Sequence, residues 1–324
     1  MLSTRFTELV GCRVPIQQAA MGGTATPKLA AAVSDAGGLG MVAAVMMSAE
    51  DLARELDGLR ARTKAPFGVS FIVPFLHERE LVEVVASRAK VVEFFFGTPD
   101  RSLVDTVHAG GALACWQVGS KEDAVAAEAV GCDLVVVQGV EAGGHVAGKI
   151  GLFPLLDEVL EVVKIPVIAA GGIGSGRTMA AALAAGASAV RMGTRFVVAE
   201  EADTHAGYAE KLIAARGRDT VITKAFHVMW PDTPHRVLRS ALEAATAFQG
   251  EVTGELFLHG KKMPLPHWAV PNPTRLTTGN IDAMALYAGE SVSAVKSVQP
   301  AATIVKEVSE QAESLLRQWA SRLK

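Results

Sequence analysis

The sequence predicts an α/β chain: a TIM (β/α)8 barrel with an added, mainly helical C-terminal lobe. Three observations predict it. Eight short apolar runs recur between Pro15 and Phe196, and eight βα units is the number that closes such a barrel. The runs are apolar almost throughout, as parallel strands covered on both faces are. The stretches between them are rich in Ala and Leu, several with Ser or Thr at the start and Gly at the end, where helix caps belong. The length of 324 residues suits a barrel carrying an addition. A doubly wound open sheet is the alternative for the same alternation of elements.

In chain order the strands are PIQQAAM from Pro15, GMVAAV from Gly40, FGVSFI from Phe67 and VVEFFFG from Val91. ALACWQV from Ala112, LVVVQG from Leu134, PVIAAGG from Pro166 and AVRMGTRF from Ala189 complete them. TPKLAAAVSDAG, SAEDLARELDGLRAR, SKEDAVAAEAVG and SGRTMAAALAAG are among the intervening helices. After Arg195 the alternation stops. Residues 220–292 mix aromatics, prolines and polar segments, and are expected to form a helical lobe over the barrel mouth. Residues 1–219 and 293–324 are expected to form the barrel and its packing helix. The tail, Ser293 to Lys324, has the apolar spacing of a long amphipathic helix, with Val295, Val298, Ile304, Val308 and Leu315 on its apolar face.

Composition narrows the setting. Half of the residues are hydrophobic, enough for a large core, and the net charge of -3 gives no basic face for nucleic acid. The three cysteines, Cys12, Cys115 and Cys132, show no zinc or CxxC spacing and are read as buried reduced thiols of a cytoplasmic protein. Met1 to Arg5 lacks the apolar region of a signal peptide, and no apolar run is long enough to span a bilayer. His77, His108, His205, His227, His235, His259 and His267 show no HExxH or other metal spacing, so no metal is expected. No GxSxG nucleophile elbow is present.

Chemistry on a TIM barrel sits at the C-terminal ends of the strands, and phosphate commonly binds after the last two. The seventh run ends in Ala170-Gly171-Gly172 and leads through Ile173-Gly174-Ser175-Gly176 into a helix. Glycine lets backbone N–H groups approach an anion, and a helix N-terminus favours negative charge. The eighth run ends in Met192-Gly193-Thr194, with another backbone donor and a hydroxyl. The stretch Gly171 to Thr178 is a near miss to a P-loop, with Arg177 in place of the lysine, and also a poor copy of GxGxxG. A barrel phosphate loop explains both. After the sixth run, Glu141-Ala142-Gly143-Gly144-His145 is a glycine loop able to bend His145 over the barrel axis. A neutral imidazole there accepts a proton from an activated carbon; a charged one holds an anionic substrate. Glu141 is either its partner or a backbone cap.

Together PIQQAAM, DAGGLGMV, PFGVSF, EAGGH, PVIAAGGIGSG and MGTRF, in that order between Phe6 and Glu210, resemble the nitronate monooxygenase (2-nitropropane dioxygenase) family. That family also includes FMN-dependent enoyl-ACP reductases and NAD(P)H:quinone reductases. The resemblance implies non-covalent FMN, with its phosphate at Gly171, Gly172, Gly193 and Thr194. It implies that Ala20, Met21 and Gly22 line the flavin ring, that Ser70, Gln117, Gln138 and Gly143 lie near it, and that His145 is base or substrate contact. Three departures stand out. Ala19-Ala20 replaces a Gly-Gly, Ser70 replaces an Asn, and the lobe lacks the Gly-Ser-rich segment expected of the enoyl-ACP reductase branch. The implied reaction is oxidation of an alkyl nitronate to a carbonyl compound and nitrite using O2. The alternatives are NAD(P)H-dependent reduction of quinones or enoyl thioesters and, less favoured, a non-redox phosphate-ligand-binding barrel. The implied partners are a small-molecule substrate with O2 or NAD(P)H, and a homodimer is compatible with the sequence.

Overall fold

A computed structural model describes residues 2–258 and 261–323; His259 lies outside them. After α1 (Arg5–Val10) the chain runs β1 (Ile16–Gln18), α2 (Pro27–Asp35), β2 (Gly40–Ala43), α3 (Ala49–Arg62) and β3 (Phe67–Ile72). There follow α4 (Glu80–Ala86), β4 (Val91–Phe95), α5 (Arg101–Ala109), β5 (Leu113–Val118), α6 (Lys121–Ala129) and β6 (Leu134–Gln138). A short β7 (Gly144–His145) precedes α7 (Leu152–Leu160), β8 (Val167–Ala170), α8 (Gly176–Ala184) and β9 (Ala189–Met192). All eight predicted runs form strands of one parallel sheet, in the order β1-β9-β8-β6-β5-β4-β3-β2. The ring closes where Leu39, just before β2, donates to the Ile16 carbonyl at 2.8 Å and accepts from Gln18 N at 2.9 Å. The chain is a TIM barrel.

The alternation of side chains explains the double coating of the sheet. Outward residues such as Val69, Val92, Trp116, Val135 and Val190 pack under the helices. Inward residues Met41, Val91, Cys115, Leu134, Ile168 and Ala189 fill the N-terminal half of the barrel, where Phe6 and Val10 of α1 plug the end. Two residues further along β4, β5 and β9, and four further along β6, the inward positions turn polar, as Glu93, Gln117, Arg191 and Gln138. Helix starts follow the predicted caps: Ser48, Ser120 and Ser175 accept from the N–H groups of Asp51, Asp123 and Thr178. Each such cap contributes about 1 kcal/mol.

Beyond β9 lie α9 (Thr194–Val197), α10 (Ala206–Ala214), β10 (Thr220–Thr223), β11 (His235–Leu238), α11 (Arg239–Ala247), β12 (Val252–Leu258), β13 (Lys261–Pro266), β14 (Thr278–Gly279) and α12 (Ala301–Ala320). The lobe is richer in strand than its sequence suggests. Among the described residues of 220–292, α11 is the one α-helix, flanked by a β10-β11-β7 ribbon and a β13-β12-β14 sheet. β10, β11 and β14 are short, and in β12 a register shift between Val252 and Gly254 interrupts the period-2 pattern that marks a strand.

The tail helix starts later than its apolar spacing suggests. Pro300 is its N-cap, so Val295 is buried ahead of it and Val298 is exposed. Ile304, Val305, Val308 and Ala312 are buried, and the helix packs against α8 and α2.

Candidate functional site

Six barrel strands deliver the floor of the mouth. Arg191 on β9 reaches across the barrel to Glu93 on β4 and Gln117 on β5, and its Nε donates to Gln17 Oε1 on β1 at 3.2 Å. Glu93 also accepts from Ser70 on β3 at 3.0 Å and from Gln17 at 3.3 Å. Each nitrogen of the guanidinium meets an acceptor, which helps make an ion pair tolerable in a low dielectric. Burial still draws the Arg191 guanidinium down to about 9. Gln138 on β6 has a different task. Its amide donates to the His145 carbonyl at 3.0 Å and accepts from Ala147 N at 3.3 Å, tying down the glycine loop. Ser70, Gln117 and Gln138 thus lie together at the mouth, each with a small exposed edge.

The two glycine loops meet on one side of this floor. Gly171 and Gly172 have φ of +111° and +67°, conformations that favour glycine. Gly193 lies beside the turn after β1: a Cβ there would be 3.4 Å from Ala19 Cβ and 3.8 Å from Met21 Sδ. Ala20, Met21 and Gly22 therefore border the same rim. Among the described residues, the N–H groups of Gly172, Gly193 and Thr194 donate to no protein acceptor. Such donors at neighbouring strand ends form a cradle for an anion. The Thr194 hydroxyl accepts from Gly289 N at 2.9 Å, and a Cβ on Gly143 would come 2.4 Å from that same N. Gly143 is therefore needed for the close approach of the segment around Gly289. These residues fit the FMN that the sequence resemblance implies: free backbone donors for a phosphate, beside a polar floor for a planar heterocycle.

His145 ends the glycine loop that Gln138 ties down. Its β7 pairs antiparallel with β11, with His145 opposite His235. The imidazole stacks on Trp230 at a centroid distance of 4.2 Å and lies 5.2 Å from His235 and 5.6 Å from Tyr287. Burial, helped by the neighbouring His235, lowers its pKa to about 3, so the ring is neutral at physiological pH. Its Nε2 is buried without a hydrogen-bond partner. Glu141 does not touch it; that carboxylate accepts from Leu152 N at 3.0 Å and caps α7.

The aromatic wall continues from Trp230 to Phe96 at 4.8 Å and Phe75 at 5.1 Å. Phe75 also borders a cavity of ≈ 110 Å³ lined by Met46, Met47 and Leu76. Met46, Phe96 and Met229 have positive φ, strain of the kind that gathers at functional sites.

Sequence reading missed Trp230, His235, Tyr287, Glu93 and Arg191. The two charges were hidden inside apolar runs, although a charged residue in a buried strand is itself a signal. The lobe residues had no such signal, because only tertiary structure brings 230–287 over the barrel.

A cleft of ≈ 900 Å³ runs from Gly172, at the edge of the cradle, past Gly174–Thr178 and Arg195 to the tail helix. Beyond Gly172 three of its backbone donors are engaged: Gly174 N and Ser175 N donate to Thr178, and Gly176 N to Gln311. Cys12 and Cys132 are free, buried thiols pushed up to about 12 by burial. Among the described residues no cluster of His, Cys, Asp and Glu could hold a metal, and no helix is long and apolar enough to cross a membrane.

A nitronate monooxygenase family model matches residues 3–85 and 77–311. The chain is 34% identical over 253 residues to a (3aS,4S,5R,7aS)-5-hydroxy-7a-methyl-1-oxo-octahydro-1H-indene-4-carboxyl-CoA dehydrogenase of Rhodococcus jostii, covering 78% of this chain and 70% of the relative. It superimposes on FabK from Thermotoga maritima with a TM-score of 0.82 at 32% identity, with 100% of each chain covered. Nitroalkane oxidase from Streptomyces ansochromogenes follows with a TM-score of 0.77 at 29% identity, covering 97% of this chain and 99% of that one. The chain is thus an oxidoreductase and belongs to the nitronate monooxygenase family.

Proposed function

We propose that the protein oxidises alkyl nitronates to carbonyl compounds and nitrite, with FMN as cofactor and O2 as terminal oxidant. The observation that carries this reading is the neutral, half-buried His145 on a loop that Gln138 ties to the polar floor and that Gly143 brings against Gly289, itself bonded to Thr194 of the cradle. Gly171, Gly172, Gly193 and Thr194 would hold the FMN phosphate. Ala20, Met21 and Gly22 would border its ring, with Ser70, Gln117 and Gln138 beneath. Bound there, FMN would supply the redox chemistry, accepting electrons from the substrate and returning them to O2. The protein orients the substrate carbon, and Trp230 and Phe96 keep water from it.

A nitronate arrives as an anion and needs no base. A neutral nitroalkane must first lose its Cα proton, and His145 is the group placed to take it. His145→Asn is expected to lower kcat/KM for a nitroalkane by about 10²–10⁴-fold, while nitronate turnover changes much less. Equal losses on both substrates would remove the base role.

A second reading, NAD(P)H-dependent reduction of quinones or enoyl thioesters, draws support from the whole-length likeness to FabK. Anaerobic spectra separate the two. Bleaching of bound FMN by propionate-3-nitronate, with no bleaching by NADH or NADPH, supports the oxidase; rapid bleaching by a nicotinamide nucleotide supports the reductase.

A further inference from the structure

We propose that His235 is a positioning residue: it fixes the hydrogen of His145 on Nε2 and so leaves Nδ1 as the lone pair offered to substrate. This deepens the base role proposed for His145 and rests on it for its kinetic consequences.

His145 and His235 are direct partners in the β7–β11 ribbon, so both rings lie on one face of it. Their centroids are 5.2 Å apart and the planes are inclined by 58°. His235 is fully buried, and its Nδ1 lies 3.0 Å from the Thr233 carbonyl. A carbonyl can only accept, so Nδ1 of His235 carries a hydrogen and Nε2 of the neutral ring is a lone pair. That Nε2 and the Nε2 of His145 are both buried without a partner.

The tautomer follows from these facts. With its hydrogen on Nδ1, His145 would bury a second lone pair beside the first, and neither would have a donor. With its hydrogen on Nε2, a donor and an acceptor occupy the same ring pair and can meet by a small closure or through one water. Other groups around the ring are already engaged. The Tyr287 hydroxyl donates to the Val270 carbonyl at 2.7 Å, while Trp230 stacks on the imidazole and Phe96 meets it edge-on. Arg236, next to His235, is held by the Val140 carbonyl and Glu290, and Glu141 by Leu152 N.

A consequence for proton transfer follows. When Nδ1 of His145 takes a proton, the imidazolium keeps its Nε2–H on a neutral acceptor, which offsets part of the burial that disfavours the charge. His235 can serve in this way because burial keeps it neutral.

The test is the tautomer itself, read from the ring ¹⁵N shifts of histidine-labelled, FMN-loaded protein. In the wild type His145 is expected to carry its hydrogen on Nε2. In His235→Leu, which removes the acceptor, it is expected to shift toward Nδ1–H; in His235→Gln, whose amide oxygen accepts, it should return. On nitroalkane, kcat/KM should fall at least about tenfold in His235→Leu, recover in His235→Gln, and stay within about threefold on nitronate. Wild-type His145 carrying its hydrogen on Nδ1, or one tautomer common to all three proteins, overturns the proposal. Should the Leu variant not fold, the wild-type assignment and the Gln variant decide. The spectra need no substrate, so failure to turn over either substrate would count against the oxidase reading and leave this one to the tautomer.

Discussion

At His145 the burial that suits catalysis has a stability consequence. Its pKa falls from the ordinary 6.5 to about 3 in the folded protein. Below pH 6.5 the unfolded chain therefore binds a proton that the native state refuses, and stability declines as pH falls toward 3. Above 6.5 the group contributes no pH dependence. The slope from one such group is at most about 1.4 kcal/mol per pH unit. Urea denaturation of wild type and His145→Gln between pH 4 and 7 should show the variant's curve to be flatter by that contribution. The buried pair of Arg191 and Glu93 makes a second residue-scale prediction. Arg191→Met would leave a buried carboxylate without its cation, at about 3–5 kcal/mol, readable as a lower urea midpoint. The place of His145 at the barrel mouth was legible in the sequence because three features converged on it: a strand end, two glycines and the neighbouring glycine loops. His235 was not, because a histidine in a short segment carries no sign of what it will face. Its role exists only after β11 pairs with β7.

Among the elements, the two glycine loops were legible because their chemistry is local. A strand end, a run of glycines and a helix start appear consecutively in the chain. The same residue type nevertheless does different things in neighbouring loops. At Gly172 the demand is conformational: φ is +67°, and an added Cβ would meet nothing closer than Glu141 Cβ at 3.5 Å. Gly172→Ala should therefore lose only about 1–2 kcal/mol, seen as a modest drop in melting temperature. At Gly143 the demand is steric, since a Cβ would fall 2.4 Å from Gly289 N and 2.7 Å from Ala288 C. Gly143→Ala must push two backbone segments apart and shift the loop that carries His145. Its expected signature is a larger drop in melting temperature together with at least a tenfold loss of kcat/KM on nitroalkane, on the scale of misplaced catalytic groups. The lobe strands were illegible for the opposite reason. β10, β11 and β14 are two to four residues long, β11 pairs with the distant β7, and β12 carries a register shift.

For the whole molecule, the eight-strand rhythm made the barrel readable from end to end, while the way it is sealed was less apparent. α12 lies against α8 and α2, and Arg195 reaches the Ala294 carbonyl, Gln299 and Glu307 at 2.7, 2.8 and 3.1 Å. Ile304, Val305 and Val308 are buried there, each contributing roughly 1.5–3 kcal/mol. Against a typical total of about 5–15 kcal/mol, a chain cut before Pro300 should lose most of its stability and melt without a cooperative transition in circular dichroism. During synthesis this has a further consequence. All eight strands leave the ribosome well before the segment that covers α2 and α8, so the nascent barrel must wait with an apolar furrow on its outside. That interval is when a chaperone, or a second nascent chain, would find it.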